Sequence, residues 1–268
     1  MSRHSSTQTK YPSMHHSKAA ATIALCIFIA LSAYGKSAEA KKQSKTQTSD
    51  ISYAHDARVQ QFAVDVALRR DLDPDAIKAV LAQARKLPQA QKLILPPKKA
   101  SAKNWVAYRA RFIEPVRLKA GQAFWEAQRR WLDKAEADTG VPASLIVGVI
   151  GVETLYGQHM GNFRTLDALT TLAFDFPAAH PRAAARTEFF LGELEQFLSL
   201  TQRNGTDPLA YRSSYAGAMG MPQFMPSSWV KYAVDFDGDG KVDLFGSAAD
   251  AIGSVAHYFK AFGWKPGL

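Results

Sequence analysis

The segment Val141–Gly157, with the sequence VPASLIVGVIGVETLYG, combines a strongly apolar helix with one carboxylate close to its end. Gly140 precedes it, Pro142 lies in its first turn and Gly157 follows its last, which are usual helix start and stop signals. Its apolar side chains lie on every side of the helix: Leu145, Ile146, Val147, Val149, Ile150 and Val152. A helix that is apolar all round is buried in a protein. The segment therefore predicts a buried helix with Glu153 in its last turn.

Glu153 occupies a position that is unfavourable for a negative charge. Desolvation and the negative end of the helix dipole both disfavour the ionised carboxylate, so both raise its pKa. A carboxyl group that stays neutral near pH 7 can donate its proton to a leaving oxygen, as the general acid of a glycosidase does. The alternative is a structural glutamate, hydrogen-bonded to backbone donors or to an arginine. The helix alone leaves both interpretations open.

Residues 1–40 are typical of a secretory signal peptide. Basic residues precede an apolar run over residues 19–33, and Ala38 and Ala40 supply the small side chains that signal peptidase requires. We therefore expect cleavage near Ala40 and a mature protein in the periplasm. The apolar run is short for a membrane span, and an uncleaved anchor is the alternative.

The chain contains one cysteine, Cys26, and it lies inside this apolar run. Leu25 precedes it, where a lipoprotein signal requires a small residue, so we expect no lipid anchor. The mature chain would then contain no disulfide and no reactive thiol.

The composition is that of a folded, moderately basic protein. Of 268 residues, 47% are apolar and 21% are charged, which supports a hydrophobic core. Removing residues 1–40 would lower the formal charge from +9 to +6. Such a charge suits an anionic partner such as cell wall or a membrane surface. No nucleic-acid-binding motif accompanies it, so nucleic acid is not an expected partner. Residues 41–50 are polar and predict a solvated linker.

Helix-type periodicity dominates the rest of the chain. Residues 51–137 lack strand-like alternation and predict an all-α N-terminal domain, and residues 165–174 and 183–200 predict two further helices. Asp167 and Asp175 are candidates for a second carboxylate, although caps and turns are the commoner use of Asp beside Thr and Pro. Three acids of the predicted helix at 183–200 are expected on a solvated face: Glu188, Glu193 and Glu195.

A glycine-bearing motif covers Ser214–Trp229, SYAGAMGMPQFMPSSW. Gly217 and Gly220 allow close approach of the backbone, and Gln223 is a polar group among apolar neighbours. Amides and hydroxyls bind sugars, so the motif is a candidate groove lining. The alternative is a tight turn packed on the core.

Residues 235–243, DFDGDGKVD, match the start of the calcium loop of the EF-hand, which is a helix–loop–helix motif. Asp235, Asp237 and Asp239 supply oxygens at loop positions one, three and five, and Gly240 occupies position six. The match predicts a structural Ca²⁺ site, with a solvated turn as the alternative.

The second half of this loop departs from the EF-hand pattern. Lys241 would contribute its carbonyl at position seven, and Asp243 would bind directly or through water at position nine. Position twelve is Gly246, where a bidentate Glu is expected. Asp250, four residues further on, is the candidate that closes the site from the next helix.

Four motifs of this chain occur together and in order: GVETLYG at 151–157, SYAGAMGMPQFMPSS at 214–228, YAVDFDGDGKVDL at 232–244 and DAIGSVAHYF at 250–259. In this combination the chain resembles the lytic murein transglycosylase B family, from about Ile51 to its last residue. The resemblance implies a mostly α fold. A lysozyme-like catalytic core would span residues 138–268, with an added N-terminal helical domain over 51–137 and the EF-hand-like calcium loop at 235–250.

The activity that the resemblance implies is cleavage of the β-1,4 bond between N-acetylmuramic acid and N-acetylglucosamine in peptidoglycan. The product carries a 1,6-anhydromuramoyl end, because the sugar's own hydroxyl, rather than water, closes on the anomeric carbon. Glu153 would act as the acid and then as the base. One carboxylate is then enough, whereas an ordinary glycosidase requires two.

The family's other site residues carry over where the motifs match. Ser214 and Gln223 would line the groove beside the scissile bond, and Tyr108 and Tyr258 would contact sugar rings. The calcium positions that match are Asp235, Asp237, Asp239, Lys241 and Asp250. The implied partners are peptidoglycan glycan strands, with cell-wall synthesis proteins as further candidates. We expect a monomer without an organic cofactor.

Family members continue well beyond the helix that contains Tyr258, whereas this sequence stops at Leu268. The alternative function is therefore a C-terminally short, non-catalytic remnant that binds peptidoglycan. A third possibility is an ordinary muramidase that uses water, and the chemical end of the product distinguishes it.

Overall fold

The computed structural model describes residues 52–97 and 104–267, and the expectations for the signal peptide and the linker therefore lie outside the described residues. The described residues are mostly helical, as the sequence predicts. Their elements are α1 Ala57–Arg70, α2 Pro74–Leu81, α3 Pro88–Leu93, α4 Trp105–Arg109, α5 Pro115–Thr139, α6 Ala143–Thr154, β1 Phe163–Arg164, α7 Thr165–Phe174, α8 Ala183–Arg203, β2 Arg212–Ser213, α9 Pro226–Tyr232 and α10 Ala248–Ala261.

Side-chain caps fix where several helices begin. A side-chain oxygen of the residue preceding the helix accepts a hydrogen bond from a first-turn amide in five cases: Asp56, Asp73, Asn104, Glu114 and Ser247. These bonds satisfy amides that have no partner within the helix. The helix starts therefore follow from local sequence.

The buried apolar residues form two clusters that meet near α6. The first joins α1, α2 and α3 to α7, α8 and α9, and Phe190 and Phe197 are its largest fully buried side chains. The second joins α5, α6 and α10 around Leu132, Ile146 and Ile252. Residues 53–90 thus share a core with residues 166–244. The domain boundary near residue 138 stays a prediction. The two apolar clusters do not follow it, because each of them contains residues from both sides of that position.

A small antiparallel sheet places the glycine-bearing motif beside the end of α6. Phe163 pairs with Ser213 and Arg164 with Arg212, and isolated bridges join Ser213 to Met219 and Met219 to Phe224. Gly161 has φ +96°, and a Cβ at this position would overlap the carbonyl group of Ser213. Only glycine allows this approach of the two backbones.

Within residues 52–97 and 104–267, no single helix is long and apolar enough to cross a membrane. Length and composition admit one candidate, a helix pair over Pro115–Thr139 and Ala143–Thr154 that is bent by 118°.

Candidate active site

Helix α6 ends one residue after Glu153, so this residue lies in the last turn, as the sequence predicts. Glu153 is the last residue but one of the helix, and Leu155 at the C-cap adopts a left-handed conformation with φ 51°. Tyr156 follows with φ 59°. Two consecutive non-glycine residues in this region are strained, and they persist only where their surroundings hold them.

Side chains around Tyr156 hold this last turn in place. The Tyr156 hydroxyl lies against Gly121 and Gly151, where any Cβ would overlap it, and its ring stacks on Phe124 at 5.1 Å. The Arg117 guanidinium donates a hydrogen bond to the carbonyl of Gly151. These contacts fix the turn that presents Glu153.

Thr154, next to Glu153, links the same turn to the glycine-bearing motif. Its hydroxyl donates to the carbonyl of Met221 at 2.8 Å and accepts from the amide of Gly157 at 3.0 Å. The helix end and the opposite wall of the site are therefore held in one hydrogen-bonded unit.

Glu153 opens onto a cleft of about 330 Å³ between the two apolar clusters. The cleft is lined by α6, by residues 222–228 and by α10. Its lining residues are Ser144, Leu145, Gly148, Val149, Val152, Glu153, Pro222, Gln223, Phe224, Met225, Ser228, Val255, Tyr258 and Phe259. Among these, Glu153 is the one carboxyl group. The walls are otherwise mostly apolar, so the cleft combines a single acid with a water-poor surface.

Burial raises the pKa of Glu153 to about 7. The half-buried carboxyl has no hydrogen-bond or ion-pair partner among the described residues. A structural glutamate, the alternative that the sequence left open, would require such a partner, so the described residues exclude it. The predicted direction of the shift is confirmed. With a pKa near 7, the group is available in both its protonated and its ionised form near neutral pH, so it can donate a proton and accept one.

Gln223 lines the same cleft as Glu153. Its backbone has φ +53°, in the left-handed region, and its side-chain amide donates to the carbonyls of Gly220 at 3.0 Å and Met160 at 3.2 Å. The backbones of Met219 and Phe224 exchange two hydrogen bonds, of 2.8 and 3.0 Å, across this turn. The turn is thus rigid, and Gln223 is fixed within it.

Ser214 lies in the same motif but is not among the residues that line the cleft. Its hydroxyl accepts from the amides of Ala218 at 3.1 Å and Ala216 at 3.3 Å, and its carbonyl accepts from Gly217. This is the tight-turn alternative for the first half of the motif. A sugar contact by Ser214 stays a prediction.

The two predicted aromatic contacts occupy different places. Tyr258 lines the cleft and packs against Phe224 at 5.5 Å and Phe262 at 4.6 Å. Tyr108, on α4, lies between Trp105 at 5.6 Å and Phe112 at 5.2 Å, outside the cleft lining. The structure therefore brings Glu153, Gln223 and Tyr258 together but not Tyr108.

Asp167 and Asp175 do not line the cleft. Asp167 is buried and accepts two hydrogen bonds from Arg164, and Asp175 is paired with Lys86 at 2.9 Å and bonded to Tyr53. Both are structural acids that join α7 to its neighbours. Neither supplies a second catalytic carboxylate.

The expectation that Glu193 faces solvent is wrong. Glu193 is 4% exposed, and its carboxylate accepts from the Ser227 hydroxyl at 2.6 Å and the Ser227 amide at 2.9 Å. Ser227 lies in the first turn of α9, between Met225 and Ser228 of the cleft wall. Glu193 therefore ties α8 to that wall. Glu195 is also not free in solution, because it pairs with Arg69 and Arg70.

We expect Glu193→Ala to lower the free energy of unfolding by about 2–3 kcal/mol, because two hydrogen bonds to a buried charge are lost. Glu188→Ala, on the exposed side of the same helix, should change it by less than about 0.5 kcal/mol. Urea denaturation of both variants measures the difference. Equal effects of the two changes would show that the Glu193–Ser227 bonds do not stabilise the fold.

Gly148 is a site residue that the sequence interpretation missed. It lines the cleft, and a Cβ at this position would meet no atom within 4 Å. A glycine inside an α-helix costs about 0.5–1 kcal/mol relative to alanine, so its presence indicates another requirement. The available signal was this glycine within an otherwise apolar helix. We interpret it as space left for a bound ligand.

We expect Gly148→Ala to raise the free energy of unfolding by about 0.5–1 kcal/mol while weakening ligand binding in the cleft. Gly192→Ala is the matched control, because Gly192 is also helical, also has no atom within 4 Å of its would-be Cβ, and lies outside the cleft lining. Both variants should gain stability, and only Gly148→Ala should bind less tightly to purified sacculi, the partner that the family resemblance implies. Unchanged binding by Gly148→Ala would remove Gly148 from the site.

The predicted calcium loop brings three carboxylates together. Oxygens of Asp235, Asp237 and Asp250 lie within 4.8 Å of one another. Asp250 is buried and also accepts from the amides of Phe236 and Asp243, both at 2.8 Å. Carboxylate oxygens are the ligands that Ca²⁺ prefers, so this donor set fits that ion.

The remaining predicted ligands are not in this cluster. Asp239 accepts from the amide of Lys241, and Asp243 accepts from the amides of Phe245 and Gly246. The loop is anchored by Phe236, whose ring lies against Gly253 of α10 so closely that no Cβ would fit. The loop conformation is therefore coupled to the second apolar cluster.

Comparison with known proteins places the chain in a family. Residues 54–268 match the family model described as "Transglycosylase SLT domain", so the chain belongs to this family. It is 41% identical over 223 residues to membrane-bound lytic murein transglycosylase B of Escherichia coli strain K12, which covers 80% of this chain and 60% of that relative. The resemblance to the lytic murein transglycosylase B family is confirmed.

Solved structures agree with this assignment. The soluble lytic transglycosylase SltB1 from Pseudomonas aeruginosa is 41% identical with a TM-score of 0.73, over 79% of this chain and 68% of that chain. The Escherichia coli lytic transglycosylase Slt35, solved in complex with calcium, is 42% identical with a TM-score of 0.72, over 80% of this chain and 66% of that chain. The mostly helical, lysozyme-like fold of the family is therefore confirmed.

Proposed function

We propose that this protein is a peptidoglycan lytic transglycosylase that cleaves the bond between N-acetylmuramic acid and N-acetylglucosamine. The observation that carries the proposal is Glu153, a single carboxyl with a pKa raised to about 7 in a mostly apolar cleft. Family membership agrees with it, and a structure of SltB3 from Pseudomonas aeruginosa, 32% identical with a TM-score of 0.69 over 79% of this chain and 54% of that chain, holds NAG-anhNAM-pentapeptide.

The reaction begins with the protonated form of Glu153. Its proton moves to the glycosidic oxygen as the bond from that oxygen to the anomeric carbon of the muramoyl residue breaks. N-acetylglucosamine leaves with a free hydroxyl, and positive charge develops on the muramoyl ring. The apolar walls keep Glu153 protonated at the pH where this step takes place.

The second half of the reaction uses the same group. The 6-hydroxyl of the muramoyl residue attacks the anomeric carbon, and Glu153, now a carboxylate, takes its proton. The product is the 1,6-anhydro sugar, no water is consumed, and Glu153 returns to its starting state. An ordinary two-carboxylate glycosidase would need a second carboxylate at about 5–5.5 or 6.5–9.5 Å. The cleft lining contains none, which favours the intramolecular reaction.

Mass spectrometry of the products released from purified sacculi tests this proposal. We expect muropeptides with 1,6-anhydro ends. Reducing ends would mean that water is the acceptor and that the protein is a muramidase. Binding to sacculi without any release would support the non-catalytic remnant.

We propose further that the loop at 235–250 binds a structural Ca²⁺ ion. Asp235, Asp237 and Asp250 would hold it with their carboxylates. The EF-hand pattern adds Asp239, the carbonyl of Lys241 and Asp243 as further ligands. The ion would cross-link the loop to α10 and take no part in the cleavage chemistry.

The setting of the protein is also a proposal. We infer export by the signal peptide at 1–40, a linker at 41–50 and action in the periplasm, where peptidoglycan is available. A helical N-terminal domain over 51–137 would precede the catalytic core at 138–268. Glycan strands are the proposed partner, Ser214 and Tyr108 are proposed further contacts with them, and we expect a monomer.

A further inference from the structure

Residues 104–119, which form α4 and the beginning of α5, concentrate exposed apolar side chains on one short segment. Nine large apolar side chains are exposed among residues 52–97 and 104–267, and five of the nine belong to this segment. These five have exposures of 47–76%: Trp105, Val106, Ile113, Val116 and Leu118. Single exposed apolar side chains are ordinary, whereas a concentrated group marks an interaction surface. We call this group, with its neighbouring cations, the 104–119 surface.

The core of the protein does not cover the 104–119 surface. Helix α4 contains no buried residue, and no residue of this segment belongs to either apolar cluster or packs against one. The segment is held together by its own side chains. Trp105, Tyr108 and Phe112 contact one another in series, at 5.6 and 5.2 Å, and the Arg117 guanidinium lies over the Phe112 ring at 5.6 Å. The exposed apolar groups therefore project from one ordered unit.

The same segment is basic. It contains four cations, Arg109, Arg111, Arg117 and Lys119, and one acid, Glu114, so its formal charge is 4 − 1 = +3. The acid is occupied as the N-cap of α5, where its carboxylate accepts two backbone amides at 2.8 Å. Arg109, Arg111 and Lys119 are exposed and have no ion-pair or hydrogen-bond partner among residues 52–97 and 104–267. The free charges of the 104–119 surface are therefore positive.

We propose that the 104–119 surface binds the anionic phospholipids of a membrane and lies along the membrane–water interface. The exposed apolar side chains would enter the boundary between headgroups and acyl chains, and the three free cations would pair with lipid phosphates. Trp105 suits this boundary because its indole ring combines an apolar body with a polar N–H. Helix α4, with five residues, could not cross a bilayer, since a crossing helix needs about 20.

The composition of the 104–119 surface favours lipid over two other occupants. Sugars are bound by aromatic faces and hydrogen-bonding side chains, whereas four of the five exposed apolar side chains here are aliphatic. A second copy of this chain would bring positive charge against positive charge, which opposes association. An anionic bilayer complements both properties of the surface, its charge and its aliphatic side chains.

Fluorescence of Trp105 tests the proposal at the proposed contact. Trp105 is the one exposed tryptophan of the five in the chain, and Trp105→Phe identifies its emission by loss. The exported protein without residues 1–40 is the form to use, because both apolar clusters lie within residues 53–264 and residues 19–33 would themselves bind lipid. Vesicles of equal parts phosphatidylglycerol and phosphatidylcholine with brominated acyl chains should quench this emission. Vesicles of phosphatidylcholine alone should quench it far less.

Replacing the three free cations with glutamine should raise the lipid concentration for half-maximal quenching by about a hundredfold, at about fivefold per cation near an anionic surface. The control is glutamine at three exposed cations outside the segment, Lys92, Arg129 and Arg203, and it should change this concentration little. Circular dichroism verifies that both variants are folded. Equal weakening by the two variants would overturn the proposal, because it would reflect net charge alone.

The apolar half of the proposal is tested by Val106→Ser, Val116→Ser and Leu118→Ser in one protein. This variant should bind the mixed vesicles at least about tenfold more weakly, because the side chains that enter the acyl boundary are shortened. Its control carries serine at three exposed apolar positions elsewhere: Val64, Leu68 and Val230. Equal binding by the variant and its control would overturn the proposal.

Three further outcomes would also overturn it. The first is absence of Trp105 quenching by the mixed vesicles, and the second is equal quenching by neutral vesicles. The third is loss of sacculus binding by the glutamine variant with its vesicle binding unchanged, which would assign the surface to wall polymer. Sedimentation velocity without lipid separates self-association, because a dimer abolished by the serine variant would assign the surface to a second copy and contradict the proposal.

Discussion

Glu153→Gln should abolish release of anhydromuropeptides from sacculi while leaving the fold and sacculus binding intact. Glutamine keeps the shape of the side chain but cannot donate an acidic proton or accept one, and general acid–base catalysis contributes about 10²–10⁴-fold in rate. Because the carboxyl has no partner among the described residues, no structural bond is lost. Circular dichroism and sacculus sedimentation supply the controls for fold and binding. Retained turnover would remove Glu153 from the mechanism.

Glu153→Gln should also change how the stability of the folded protein depends on pH. Burial raises the pKa of Glu153 from its ordinary value of 4.5 to about 7 in the folded protein, so the folded state binds this proton more tightly than the unfolded state does. As the pH rises from about 4.5 to about 7, the parent protein must therefore lose stability relative to Glu153→Gln. We expect the variant to be the more stable protein at pH 8, with no advantage at pH 4.

Urea denaturation at these two pH values measures this effect. Glu188→Gln, an exposed change on α8, is the control and should show no pH-dependent difference. A Glu153→Gln protein that is less stable than its parent at pH 8 would mean that the carboxylate makes a stabilising contact and that its role is structural.

Calcium should raise the melting temperature, and a chelator should reverse the effect. An ion that binds only the folded state stabilises it by about 2.7 kcal/mol at one hundred times its Kd, which corresponds to about 5–10 °C for a chain of this size. Extracellular calcium modules have a Kd of about 10⁻⁴–10⁻³ M, so a hundredfold excess over Kd corresponds to about 10–100 mM Ca²⁺.

Asp235→Asn and Asp133→Asn separate this effect from general charge loss. Asp235 belongs to the carboxylate cluster, whereas Asp133 is an exposed residue of α5 outside it. The calcium-dependent shift should disappear in the first variant and persist in the second. Equal melting temperatures of the parent with calcium and with chelator would exclude a stabilising ion from the loop.

The elements set by local sequence could be predicted. Helix α6 follows from Pro142 and from its continuous apolar run, and the raised pKa of Glu153 follows from its place at the end of such a helix. Asp235 and Asp237 were predicted as a cluster because EF-hand spacing fixes a loop within a few residues. Asp250 completes this cluster even though the spacing departs from the pattern.

Features set by contacts between distant elements could not be predicted in this way. Glu193 was placed in solvent because it is charged, although it lies three residues after buried Phe190 and four before buried Phe197 on the same face of α8. Its partner, Ser227, is 34 residues away in the sequence. The shared core of α1–α3 with α7 and α8 is likewise a long-range arrangement. Periodicity identifies a buried face but not what packs against it.

The most direct test of the account is the pKa of Glu153 itself, measured by ¹³C NMR titration of the side-chain carboxyl in the folded protein. Glu153→Gln identifies the resonance by its loss. We expect this carboxyl to titrate near pH 7, with the pH dependence of product release following the same ionisation and falling as the carboxyl loses its proton. Titration near 4.5 would contradict it, because a carboxyl that is ionised at neutral pH could not serve as the acid of the proposed reaction.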